Sequence, residues 1–141
     1  MDTAHRPIAA LGEIALRVDD LDTMQYFYAS VIGLELMKRF ETSAFFKIGE
    51  GYAGHTQILA LFDRAGTPGY TGLDAPRTTV DHIAFTIALA DFWPEVARLK
   101  ALGLSVSTTT HAWVQWRSLY VDDPEGNTVE LVCFDPGIEQ E

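Results

Sequence analysis

The chain repeats itself, and the repeat limits what it can fold into more than any other feature. Glu13-Ile14-Ala15-Leu16-Arg17-Val18 lines up with His82-Ile83-Ala84-Phe85-Thr86-Ile87, apolar and polar positions in step. Each segment alternates with period two, as a half-buried strand does. Ile14, Leu16 and Val18 share one face, as do Ile83, Phe85 and Ile87; Glu13 and His82 therefore stand on the other, less apolar face of equivalent strands. A helix is expected after each strand. In the first copy Asp22 and Gln25 have capping-box spacing, Met24, Phe27, Tyr28 and Val31 form one stripe, and Gly33 is the natural terminator. In the second, Asp91 is the expected cap and Pro94 falls in the tolerant first turn. Phe92, Val96 and Leu99 form that stripe, and Gly103 ends the helix.

Three strands are expected after each helix: 35–40, 43–49 and 56–62 in the first half, and 105–110, 114–121 and 128–134 in the second. Asp122-Asp123-Pro124-Glu125-Gly126-Asn127 is a turn sequence, and the Gly- and Pro-containing stretch 64–78 reads as a linker. The fold class is α+β. Two tandem βαβββ modules, residues 8–63 and 79–135 of a single domain 1–141, form paired curved mixed sheets around a concave site.

Composition narrows the function classes. Hydrophobic residues make up 48% of the 141, charged residues 21%, and the formal net charge is −10. That is globular composition, and an acidic surface repels phosphate backbones, so no nucleic-acid partner is expected. No apolar run approaches the roughly 20 residues that span a bilayer, and Met1 to Pro7 holds no signal core, so no membrane is expected and the location reads as cytoplasmic. Cys133 is the only cysteine, which rules out an internal disulfide and a thiolate-cluster metal site.

The repeat also supplies a register. Glu130 lies 27 residues beyond Gly103, and the same step from Gly33 reaches Ala60. Glu13, Ala60, His82 and Glu130 are then equivalent corners, on the first and last strand of each half. If the sheets face one another, two carboxylates and one imidazole converge, a donor set that suits a divalent cation.

These residues resemble the vicinal oxygen chelate superfamily of glyoxalases, bleomycin resistance proteins and extradiol dioxygenases. The resemblance rests on Glu13-Ile-Ala-Leu-Arg-Val with Phe27-Tyr28 and Gly33-Leu-Glu-Leu, on Asp81-His82-Ile-Ala-Phe, and on Asp123-Pro-Glu-Gly-Asn-Thr-Val-Glu130-Leu. It implies a glyoxalase-like fold, a homodimer, and metal ligands at the positions of Glu13, Ala60, His82 and Glu130. Here Glu13 replaces the usual His or Gln, and Ala60 has no donor. The implied cofactor is a divalent ion (Fe, Mn, Ni, Zn or Mg) at Glu13, His82 and Glu130, with Glu13 or Glu130 moving a proton. The implied reaction is of the lyase, isomerase or dioxygenase kind, on a small molecule with vicinal oxygens. A competing reading is a metal-free drug-binding protein, for which Ala60 and the acidic charge speak.

Candidate substrate-binding residues are Gln57, Phe46, Trp113, Trp116 and Tyr120. Gln57 stands at an odd step from Ala60 and needs a bulge to reach the same face; it and His55 in the preceding loop are the candidates for the donor that Ala60 lacks. Bland readings stand beside these. Glu13 reads as a salt-bridge partner of Arg17 on its own face, His5 and His111 as solvated, Trp93, Trp113 and Trp116 as packing or cavity wall, and Cys133 as an inert strand residue.

Overall fold

A computed structural model describes residues 5–72, 74 and 77–141; Leu73, Ala75 and Pro76 of the expected linker lie outside them. The chain divides into two compact units, 1–70 and 71–141. The first runs β1 (Glu13–Val18), α1 (Leu21–Tyr26), β2 (Glu35–Arg39), β3 (Ser43–Glu50) and β4 (Thr56–Asp63). The second runs β5 (His82–Thr86), α2 (Phe92–Ala101), β6 (Ser107–His111), β7 (Trp116–Asp122) and β8 (Thr128–Phe134). Each unit is a four-stranded mixed sheet, ordered β1-β4-β3-β2 and β5-β8-β7-β6. The outer pairs β1·β4 and β5·β8 are parallel, and the rest are antiparallel. The α+β class and the βαβββ order follow the repeat. Among the described residues no helix is long and apolar enough to cross a membrane.

The hydrophobic stripes do what their spacing requires. Leu16 and Val18 of β1, Leu59 and Leu61 of β4 and Phe46 of β3 are buried with Met24, Phe27 and Tyr28 of the first helix. In the second unit Ile83, Phe85, Leu119 and Leu131 are buried, as are Phe92, Val96 and Leu99 of α2. Beyond Tyr26 the first helix widens to a π turn over Phe27–Ile32, and Gly33 closes it at φ 95°, with the amides of Gly33 and Leu34 both donating to the Tyr28 carbonyl.

Local details depart from the sequence expectations. The first helix begins two residues earlier than the capping box implies: Asp20, not Asp22, is the cap, its carboxylate accepting from the Thr23 amide at 3.0 Å. Asp22 and Gln25 instead share the Arg39 guanidinium, each at 2.7 Å from Nη1. This tertiary partner competes for both side chains. Asp91 makes no side-chain cap, because a 3₁₀ turn, Leu89–Asp91, already leads into α2. The strand expected from residue 114 starts at Trp116, since 112–115 form a turn that closes with Gln115 at φ 60°. The strand expected over 105–110 is shifted to Ser107–His111.

Candidate functional site

The sheet ladders place the repeat's corners in equivalent positions. Ala60 pairs with Ala15 of β1, two residues on from Glu13, and Glu130 pairs with Ala84 of β5, two residues on from His82. Across the antiparallel ladders Phe45 faces Ala60 as Tyr120 faces Glu130, and Ser43 faces Phe62 as Ser118 faces Val132. Each sheet therefore has one face against its helix and one opposite face, and the candidate residues divide between them by parity.

On the face of the second sheet away from the helix a polar cluster is built around Glu130, whose residue is 6% exposed. Its Oε2 accepts from the fully buried Ser118 hydroxyl at 2.5 Å and from the Tyr120 hydroxyl at 3.4 Å. Its Oε1 lies 3.3 Å from His82 Nε2. The other ring nitrogen of His82, Nδ1, is 2.8 Å from the exposed Asp81 carboxylate, to which it donates. That bond leaves Nε2 facing a carboxylate oxygen, an arrangement that calls for a proton or a cation between the two. Donors bound about 2.0–2.2 Å from one ion stand roughly 3.0–3.5 Å apart, so the His82–Glu130 pair has suitable spacing and chemistry for two ligands of a hard or borderline metal. Among the described residues no group of three or more His, Cys, Asp and Glu side chains gathers as a metal-holding cluster.

His111 departs from expectation. Rather than being solvated without partners, its Nε2 lies 3.2 Å from the Tyr120 hydroxyl and 4.0 Å from Glu130 Oε2. Burial, and then the Glu130 charge, push the Tyr120 phenol above its ordinary pKa, which keeps it protonated and donating. His111 and Ser118 are the members that sequence reasoning missed; parity on β7, where Ser118 and Tyr120 alternate onto one face, is the signal that points to Ser118. Along the same face Trp116 pairs with Phe134, and the Trp113 ring lies 6.2 Å from that of Trp116, leaving three exposed aromatic side chains beside the polar cluster. Trp93 belongs elsewhere: it meets Phe92 edge-on and lies beneath the Arg117 guanidinium.

In the first unit Glu13 is exposed, and the ion pair with Arg17 does not form; among the described residues neither side chain has a hydrogen bond or ion pair. Phe46 is not a substrate-facing residue. It is fully buried on the helix face, with its ring 6.4 Å from Tyr28, and its neighbour Phe45 takes the opposite face against Phe40 and Phe62. Gln57 also stays on the face opposite Ala60, because the bulge near it lies in β3, between Lys47 and Gly49, and β4 runs on regularly. The His55 ring lies over Gly12 and, with Pro7, Ala9, Ala10, Leu11 and Tyr52, lines a cavity of about 230 Å³. The Cys133 thiol is buried, and burial raises its pKa, so it is poorly nucleophilic.

A family model described as the Glyoxalase/Bleomycin resistance protein/Dioxygenase superfamily matches residues 10–131. The chain is 27% identical over 124 residues to a glutathione transferase FosA from Serratia marcescens, covering 88% of this chain and 80% of that protein. It is also similar to the crystal structure of a lactoylglutathione lyase from Agrobacterium tumefaciens (31% identity, 91% and 96% of the two chains, TM-score 0.65). A glyoxalase/dioxygenase from Nostoc punctiforme shares the fold (24% identity, 96% and 99% covered, TM-score 0.70).

Proposed function

The chain belongs to the glyoxalase/bleomycin resistance protein/dioxygenase superfamily, and from that premise we propose that it is a divalent-metal enzyme acting on a small molecule with vicinal oxygens. The observation that carries this reading is His82 Nε2 facing Glu130 Oε1 at 3.3 Å, with Nδ1 engaged by Asp81. His82 and Glu130, both in the second unit, would hold the ion. A divalent ion there supplies a Lewis acid for a substrate oxygen.

The chain's own groups do the rest. Ser118 and Tyr120 hold one oxygen of Glu130, so this carboxylate is oriented and poorly placed to carry a proton. Glu13, exposed in the first unit, has no hydrogen bond or ion pair among the described residues. Trp113 and Trp116 offer an apolar wall for the rest of the substrate, and the protonated Tyr120 a hydroxyl beside it.

Thermal melts of the chelator-treated protein with Mn, Fe, Ni, Zn and Mg test the reading. At least one ion should raise the midpoint by several degrees, and His82→Ala should abolish the rise. No shift with any ion between about pH 6 and 8 would overturn it. Sequestration of a cationic drug by an acidic protein, with Ala60 as a corner that lacks a donor, would then be favoured.

A further inference from the structure

We propose that Ser118 is a positioning residue that makes Glu130 a one-oxygen ligand. The inference rests on the metal-dependent reading above, but it concerns a residue to which that reading assigns no contact with the ion.

The two oxygens of Glu130 have different partners. Oε2 receives the Ser118 hydroxyl at 2.5 Å and the Tyr120 hydroxyl at 3.4 Å, while Oε1 has the imidazole nitrogen of His82 as its neighbour at 3.3 Å. A hydroxyl hydrogen bond to a carboxylate at this length is a strong, charge-assisted one. Ser118 is fully buried, so no water competes for its hydroxyl, and no buried side-chain polar atom among the described residues lacks a partner. Oε2 is thereby occupied, and the carboxylate cannot swing to offer both oxygens to an ion. Ser118 stands on the same face of β7 as Tyr120, and its neighbour across the ladder is Val132 of β8, so a regular strand delivers the hydroxyl and no loop must be ordered. Tyr120 assists, itself oriented by His111. The first unit carries the same device without its object: Ser43 stands where Ser118 does, but Ala60 offers no carboxylate.

Ser118→Ala removes the hydroxyl with little change of shape, and Ser118→Thr restores one. Divalent ion affinity, measured by calorimetry on the chelator-treated protein with Mn and Zn, should fall about 10- to 100-fold in Ser118→Ala and recover within a few-fold in Ser118→Thr. Melts without metal show whether each variant is folded. If Ser118→Thr fails to fold, Ser118→Cys and Tyr120→Phe complete the series, with the expected losses in the order Ser118→Ala, Tyr120→Phe, wild type. Unchanged affinity in a folded Ser118→Ala protein overturns the positioning role and leaves the metal site standing. Failure of the wild-type protein to bind either ion, together with no thermal shift from any of the five, overturns both.

Discussion

Ala60 and Glu130 occupy the same corner of equivalent sheets, yet one side chain is a methyl group and the other a carboxylate held by two hydroxyls. The surroundings explain why the corner cannot simply be exchanged. Ala60 is fully buried, and the ring facing it is Phe45, where Glu130 has the phenol of Tyr120. Ala60→Glu should destabilise the metal-free protein by about 3–5 kcal/mol, the cost of a buried charge with incomplete partners. Adding Phe45→Tyr should recover about 1 kcal/mol through one hydrogen bond. Denaturant unfolding of both variants beside wild type measures this; an undiminished Ala60→Glu protein would place residue 60 on the wrong face. Tyr120 supports a pH prediction. Its folded-state pKa is raised above the ordinary 10.0, so the folded protein favours the protonated phenol. That contribution to stability is complete below pH 10 and is lost as pH rises through the folded value. Tyr120→Phe should therefore flatten the alkaline fall in stability. Tyr70, raised by burial and by its bond to Asp19, leaves a residual slope of the same sign. Unfolding midpoints between about pH 9 and 11 in the two proteins check it.

The two helices were legible at their centres and less so at their beginnings. The stripe of Met24, Phe27 and Tyr28 is buried as its spacing requires, and the stop at Gly33 is real, because only a residue at ease with φ 95° ends the helix there. Gly33→Ala should cost about 1 kcal/mol, and Gly33→Asn less, since Asn tolerates the left-handed region better. Urea midpoints for the two variants test this. An unaffected Ala variant would mean the helix terminates elsewhere. The starts depended on partners the local sequence does not contain. Asp22 and Gln25 have capping spacing, but Arg39, at the end of β2, binds both, and Asp20 is left to cap. A local rule fails wherever a distant cation offers a better partner than a backbone amide.

At the scale of the molecule, charge is the property that composition decides. A net charge of −10 on 141 residues means self-repulsion that ordinary salt screens. The melting midpoint should rise by roughly 2–4 °C between low salt and about 0.2 M NaCl, worth about 1 kcal/mol in a chain of this size. A fall instead would show that surface pairs such as Arg39–Asp22 and Arg98–Glu95 outweigh the repulsion. The sequence by itself determined the two βαβββ modules and the corners of each sheet, including the equivalence of Ala60 with Glu130. The reason is that strand parity and a repeat of fixed length are properties of the chain alone, and neither shifts while the strands stay regular. It did not determine that Phe45 rather than Phe46 faces outward, that Gln57 stays on the helix side, or that Ser118, Tyr120 and His111 gather around Glu130. Those facts depend on which strands pair and where the ladder slips by one residue, as it does in β3 between Lys47 and Gly49. They also depend on hydroxyl and imidazole groups brought in from β6 and β7, strands 10–19 residues away along the chain, whose distance from a carboxylate only the folded sheet fixes.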